Sequence, residues 1–419
     1  IPTDITYWNT KTGHFDGIYT YTFTDTDTYL KSIWEYGYKT ADNAARVIQA
    51  SQALYNNASD DEKTELNMYM AEAYALRGYA QLLLTNIYGH QIKVNGQDFS
   101  SELGIVIIDQ PKEALTKISR STVGESYEAI INDLKNALSH FEAAGKDRGE
   151  LQYLGKAATN GLLARTYLYL ENWDEARNYA EQALKIAGIT TLTNDANAYK
   201  ALYNSEISNS ESMFALAITN TTNWSANSYG TLWSTYNFSP SPKLISMYAT
   251  NDCRKILIDG RDKTSTESEP VYTGGKIAHF SSGNPARGTN YIVNAPEMYL
   301  IKAEANVQLN KLNEAKEALL VVAKRNLDIK STNDLPSKKE NLMSFIKDER
   351  ARELFQEGMR LYDLRRWNER VSVYANSAPA IKFTYTNYEI SNLVFPIPSA
   401  EINAGFGVTQ NNWTNTLPK

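Results

Sequence analysis

The chain has 419 residues, 42% of them hydrophobic, with a net charge of −6 and a pI near 5.5. That is enough apolar material for a large core, and the acidic balance excludes a protein whose main affinity is for phosphate backbones, which needs a basic surface. The four histidines are widely separated without metal-ligand spacing, and the single Cys253, read as a small buried side chain, cannot form an internal disulfide.

In chain order, Ile1 to Tyr38 is rich in aromatics, and the alternation Tyr19-Thr20-Tyr21-Thr22-Phe23 predicts a half-buried strand. Asp25 and Asp27 begin like a calcium loop but lack its glycine and closing glutamate, so they read as a chance acidic pair. Helical periodicity then predicts helices over 41–55 and 60–88 as an antiparallel pair, followed by helices over 123–143, 155–170 and 174–186. Around the turn Glu171-Asn172-Trp173, the small residues Ala164, Ala176 and Ala183 stand with Tyr167 and Tyr179 in a tetratricopeptide-like pattern. The theme recurs over 296–323, with Tyr299, Ala303, Ala315 and Leu319 around Asn310-Lys311-Leu312-Asn313. Each hairpin has an apolar side it cannot bury alone, so stacking predicts a helical repeat scaffold.

Residues 190–291 differ in character: Asn, Ser, Thr, Gly and aromatics predominate, which predicts loops and short strands. Gly274-Gly275-Lys276 lacks the spacing of a phosphate loop and reads as a turn. After a helix following Ser337, the segment from Ile346 to Trp367 places Glu349, Arg350, Glu353 and Glu357 beside Ile346 and Leu354 at helical spacing. The charges there are expected to pair as Glu–Arg forks, or else to line a solvated face, with Gly358 ending the helix.

The run Glu349-Arg350-x-Arg352-Glu353-Leu354-x-x-Glu357-Gly358-x-Arg360-x-x-Asp363-Leu364-Arg365-Arg366 resembles the signature of the SusD/RagB family of nutrient-binding outer-membrane lipoproteins. Downstream, Phe395-Pro-Ile-Pro-Ser-Ala-Glu401-Ile402-Asn403 and Gln410-Asn411-Asn412-Trp413 are similar to that family's closing pattern. The resemblance implies a mainly α, SusD-like fold. It would be one domain over 1–419, with a tetratricopeptide-like helical hairpin scaffold over 39–189 and 295–367, a loop-rich, short-strand insertion over 190–294 and a loop-rich closing segment over 368–419. It also implies a protein that binds oligosaccharide at the cell surface and passes it to a SusC-like TonB-dependent transporter, without catalysis and without a cofactor. No apolar run is long enough to span a bilayer. The chain begins at Ile1 without an initiating Met, and the resemblance implies a preceding lipoprotein signal ending in an acylated Cys, anchoring the protein outside the outer membrane.

Sugars present apolar C–H faces ringed by hydroxyls, so a site for them needs aromatic platforms beside amides and hydroxyls. The segment from Asn220 to Phe238 supplies both. Trp224, Tyr229, Trp233 and Tyr236 are expected to stack, and Asn223, Asn227 and Asn237 to read hydroxyls, unless these aromatics plug the insertion onto the helices. Secondary candidates are Trp8 and Tyr21 in the N-terminal aromatic cluster, and Asp42 and Arg46, whose spacing also suits a surface ion pair. Trp34, Tyr38 and Asn43 resemble structural positions of the family's first helix. Two other classes stay open: a peptide-capturing member of the family, whose cleft would carry more charge, and a tetratricopeptide scaffold that binds only proteins. A glycoside hydrolase would need two facing carboxylates, and no nucleophile elbow or metal motif is present.

Overall fold

A computed structural model describes residues 3–8, 14–204, 208–219, 221–222, 225, 228–234, 238–258, 275–276, 288–374 and 383–417. The helices in chain order are α1 (Asp16–Thr20), α2 (Thr28–Tyr55), α3 (Asp60–Tyr88), α4 (Val123–Ala144), α5 (Lys156–Tyr169), α6 (Trp173–Ala187), α7 (Ala196–Leu202), α8 (Tyr229–Ser234), α9 (Pro242–Ser246), α10 (Lys255–Ile258), α11 (Ala295–Gln308), α12 (Leu312–Ala323), α13 (Lys339–Glu353), α14 (Arg360–Arg366) and α15 (Ser399–Ala404). The strands are β1 (Thr6–Trp8), β2 (Lys93–Val94), β3 (Gln97–Asp98), β4 (Ser212–Leu216), β5 (Phe238–Pro240), β6 (Asn290–Asn294), β7 (Arg370–Tyr374) and β8 (Phe383–Glu389), joined as the two-stranded sheets β1–β5, β2–β3, β4–β6 and β7–β8. The protein is mainly α, as expected. Among the described residues, no helix is long and apolar enough to cross a membrane.

The chain divides into two compact units. One comprises Phe23–Asn172, Leu364–Glu369 and Glu389–Lys419. In it α3 packs against α2 and α4, and α4 against α5. The helix starts follow from capping: Asp27 accepts from the backbone N–H groups of Tyr29 and Leu30, while Ser59 with Glu62 and Thr122 with Glu125 form reciprocal capping boxes. Asp27 is thus a helix cap. Helices α2 and α3 approach so closely at Gly37 that a Cβ there would stand 2.7 Å from a Leu84 methyl. Between α3 and α4 lies a buried fork in which Arg77 donates to both carboxylate oxygens of Asp133 at 2.8 and 2.6 Å. Trp34 and Tyr38 are structural, as expected: the Trp34 indole donates to Glu401 and the Tyr38 hydroxyl accepts from Val106 N. The closing pattern is a clamp. The Gln410 side chain accepts from Ile397 N and donates to Ile397 O, both at 2.7 Å, and Asn411 donates to the carbonyls of Tyr88 and Phe395.

The other unit comprises Ile1–Thr22, Trp173–Asp363 and Arg370–Tyr388. Here α11 packs against α6, α12 and α13. Fully buried Ala176, Ala180 and Ala183 on α6, and Ala303 and Ala315 on α11 and α12, supply the small surfaces that such close packing needs. Asn310 turns the α11–α12 corner at φ +58°, close to where the repeat predicted it. Strand β6 leads directly into α11 and pairs antiparallel with β4. Cys253 is buried, as expected.

Three local expectations are corrected. Residues 19–23 form the end of α1 and an irregular stretch rather than a strand; Tyr21 adopts φ +59°, which breaks an extended ladder, yet Tyr19, Tyr21 and Phe23 are buried while Thr22 is exposed. The alternation was a true signal of burial and a false one of pairing. Helix α13 ends at Glu353, before Gly358: the Lys276 ammonium donates to Glu353 O, placing a cation on the helix C-terminus, and the chain then turns through Gln356 at φ +67° and Gly358 at φ +78°. Part of the insertion, expected as loops and strands, is also helical, in α7 to α10.

Candidate functional site

The charged signature is buried and paired. Arg254 donates to Asp252 at 2.7 Å, to Glu349 at 2.7 Å and to Glu353 at 2.9 Å. Arg325 bridges Glu353, at 3.2 Å, and Glu211. Arg350 pairs with Asp363 at 2.8 Å, and Arg360 with Asp4 at 2.7 Å. The expected forks therefore exist, but several of their partners come from outside the signature. Burial opposes ionisation of Glu349, and the guanidiniums of Arg254 and Arg352 overcome it, holding the carboxyl at about 2. Asp4 is likewise held at about 2, Arg360 and Lys243 outweighing its burial.

Immediately after this network, the turn from Gln356 to Gly358 forms one wall of a cavity of about 230 Å³. Tyr203, at the end of α7, and Tyr291, on β6, meet edge to face at 5.6 Å between ring centroids, and Tyr229 at the start of α8 adds a third ring. Asn290, Ile292 and Thr289 line the cavity from β6 and the residue before it. Lys276 lies 5.3 Å above the Tyr203 ring and pairs with Glu357 at 2.6 Å; Glu357 also accepts from Asn294 at 2.9 Å. Burial would lower the Lys276 pKa, but the adjacent Glu357 carboxylate raises it well above the ordinary lysine range, so the ammonium stays charged.

Two polar atoms in this wall are unengaged. The Gln356 Oε1 accepts from Lys276 N at 2.8 Å, which fixes the amide so that Nε2 is its donor end; among the described residues, that Nε2 and the Asn290 Oδ1 are buried without a hydrogen-bond partner. Gln356 is only 7% exposed. A donor and an acceptor held unpaired in an aromatic cavity are what a neutral, polar ligand completes.

Of the residues singled out from sequence, Tyr229 lines this cavity. Trp233 lies on the same short helix but is buried edge-on against Phe355 at 5.1 Å, so it packs the wall from behind. Asn223, Trp224, Asn227, Tyr236 and Asn237 lie outside the described residues. Trp8 and Tyr21 are corrected to core positions: Trp8 is 0% exposed between Tyr19 and Phe238, and Tyr21 is packed against Tyr385 and Tyr388, leaving neither ring a face for a ligand. Arg46 donates to Asp42 at 2.7 Å across one helical turn, and Asp42 also accepts from Lys112 N, so these two form the surface ion pair their spacing allowed. Tyr203, Tyr291, Asn290, Lys276 and Gln356 were missed. Gln356, the lone amide within the charged signature, carried a signal for itself alone. Among the described residues, no cluster of three His, Cys, Asp or Glu side chains is placed to hold a metal ion.

Residues 281–413 match the model of the SusD family, and residues 4–168 match a model described as starch-binding associating with outer membrane. A SusD superfamily protein from Bacteroides thetaiotaomicron superposes with a TM-score of 0.82 at 22% identity, covering 98% of this chain and 92% of that one. A SusD superfamily protein from Bacteroides vulgatus gives 0.79 at 23%, covering 100% and 92%. A SusD-like carbohydrate binding protein from the same species gives 0.74 at 23%, covering 90% and 78%. No curated protein sequence matches. The SusD/RagB resemblance is borne out: the chain carries SusD-family sequence and the SusD superfamily's helical fold.

Proposed function

We propose that this protein is a glycan-binding SusD-like protein of the outer membrane, acting as a single domain, lipid-anchored and facing the cell exterior, that captures an oligosaccharide and hands it to a SusC-like TonB-dependent transporter without breaking bonds. The observation that carries the reading is the cavity itself, lined by three tyrosines together with Gln356 and Asn290, whose Nε2 and Oδ1 are unengaged. Aromatic faces suit the C–H surfaces of sugars, and neutral amides suit their hydroxyls. The matched description of starch binding at the outer membrane, and the carbohydrate-binding relative from Bacteroides vulgatus, support the same class.

A non-catalytic role is supported by the carboxylates. Glycoside hydrolysis uses a pair of them about 5–9.5 Å apart. Among the described lining residues only Glu357 carries one, and it is engaged by Lys276 and Asn294. For the transporter, the helical hairpins offer a surface: Ile33, Tyr36, Val47 and Leu54 are exposed along one face of α2.

The test is a glycan-array screen followed by calorimetric titration of the best glycan into wild type and Tyr229→Ala. Selective binding that weakens at least tenfold in the variant supports the reading. Undiminished binding would place the ligand elsewhere, and Trp224→Ala then examines the part of the insertion outside the described residues. Replacing Tyr36 and Val47 by Glu is expected to abolish co-purification with the transporter; intact co-purification would refute the docking face.

A further inference from the structure

The cavity's two unengaged groups differ in kind: one donates and the other accepts. The Gln356 Nε2 needs an acceptor and the Asn290 Oδ1 needs a donor, and neither finds one among the described residues. The amide orientation of Gln356 is fixed by Lys276 N donating to its Oε1 at 2.8 Å, and Gln356 is more than nine-tenths buried. The formal charges lining the cavity, Lys276 and Glu357, are paired with each other at 2.6 Å, so among the described lining residues charge recognition of a carboxylate or an ammonium has no free partner. Beside the amides lie Tyr203, Tyr291 and Ile292, an apolar lining that a hydroxyl would leave empty.

We propose that the pocket recognises an acetamido group on a sugar residue. Its carbonyl would accept from Gln356 Nε2, its N–H would donate to Asn290 Oδ1, and its methyl would rest against the tyrosine rings. A secondary amide carries an acceptor, a donor on its opposite side and a methyl group, one for each of the three features, whereas a hydroxyl brings nothing for the apolar lining. At about 230 Å³ the cavity is smaller than the roughly 300–1,000 Å³ of sites that enclose drug-sized ligands. It therefore holds one N-acetylated residue, at a chain end or a branch, rather than a run of sugars. This inference rests on the glycan-binding reading and narrows its ligand class.

The experiment compares the methyl glycosides of N-acetylglucosamine and N-acetylgalactosamine with those of glucose and galactose, by calorimetry and by saturation-transfer NMR on the acetyl methyl protons. Wild type, Asn290→Val and Gln356→Met are tested. Asn290→Val suits its strand position and removes an Oδ1 that has no hydrogen-bond partner; unchanged thermal unfolding confirms that it folds. The expected result is at least tenfold tighter binding of an acetylated sugar, strong saturation of its methyl group, and loss of that preference in both variants. Equal binding of acetylated and hydroxyl sugars by wild type would overturn the acetamido inference and leave the glycan reading standing. A preference that survives both variants would also overturn it, because the two amides would not be reading the group. Binding of an N-acetylated dipeptide amide without binding of any sugar would overturn both readings in favour of peptide capture.

Discussion

The buried charge network and the cavity beside it share one stretch of chain, residues 349–358, and treat polarity in opposite ways. From Glu349 to Glu353 the carboxylates are enclosed by Arg254, Arg325 and Arg352. Three residues on, the Gln356 amide has one end bonded to Lys276 N and the other unengaged in the cavity. In the first region each carboxylate is paired with a guanidinium, and removing any one member strands a buried charge, although Arg325 Nε and Arg350 Nη1 are also left without a hydrogen-bond partner. The second has bonding capacity left over, which is the mark of a place where something binds. Nearness to the signature therefore does not make a residue structural; Gln356 and Asn290 are set apart from Arg325 and Arg350, which also carry an unpartnered atom, by lining the cavity.

The contrast breaks most severely if Glu353 is replaced. Glu353→Leu leaves Arg254 and Arg325 each short of a buried partner and is expected to destabilise by about 3–5 kcal/mol in chemical denaturation; a loss under 1 kcal/mol would show the network to be dispensable. Acid should act on the same region. Glu349, ordinarily near 4.5, and Asp4, near 3.8, are both held at about 2 in the folded protein. Each depressed carboxyl contributes stability that is full above its unfolded value and lost as pH falls through the folded one. Stability is expected to drop between about pH 4.5 and 2, by on the order of 3 kcal/mol for Glu349, and substituting Arg352 should flatten that part of the pH profile.

In the other unit, Gly37→Ala sets a methyl group against Leu84 and is expected to cost about 1–3 kcal/mol, read as a lower melting temperature. On the cavity side the effects on stability shrink. Asn290→Val should change folding stability by under about 0.5 kcal/mol, while glycan affinity falls.

Most of the long helices were legible because their signals are local; α2 is the exception, predicted from residue 41 but beginning at Thr28. Helix α3 was read at its true bounds, and α4, α5 and α6 within about one residue, since apolar period, the Ser59 and Thr122 caps and the Gly145 stop all lie within the segments they govern. The α13 stop was misplaced because the group that ends it, Lys276, is distant in sequence. The same reason hid most of the cavity: Tyr203, Lys276, Asn290 and Gln356 come from four separate stretches, and no spacing within any one of them announces the others. Tyr229, which lines the cavity, was picked out because it belongs to a visibly aromatic, amide-rich run, and that same composition signal picked out Trp233, which is buried against Phe355. Composition points to a neighbourhood; only the fold says which ring faces inward.

The central claim is tested most directly by measuring binding and stability together in one variant, Asn290→Val, titrated with the glycan that wild type binds best. The account predicts affinity at least tenfold weaker with thermal unfolding unchanged, because the lost acceptor serves the ligand and not the fold. Unchanged affinity would contradict it and return the cavity to the structural part of the molecule.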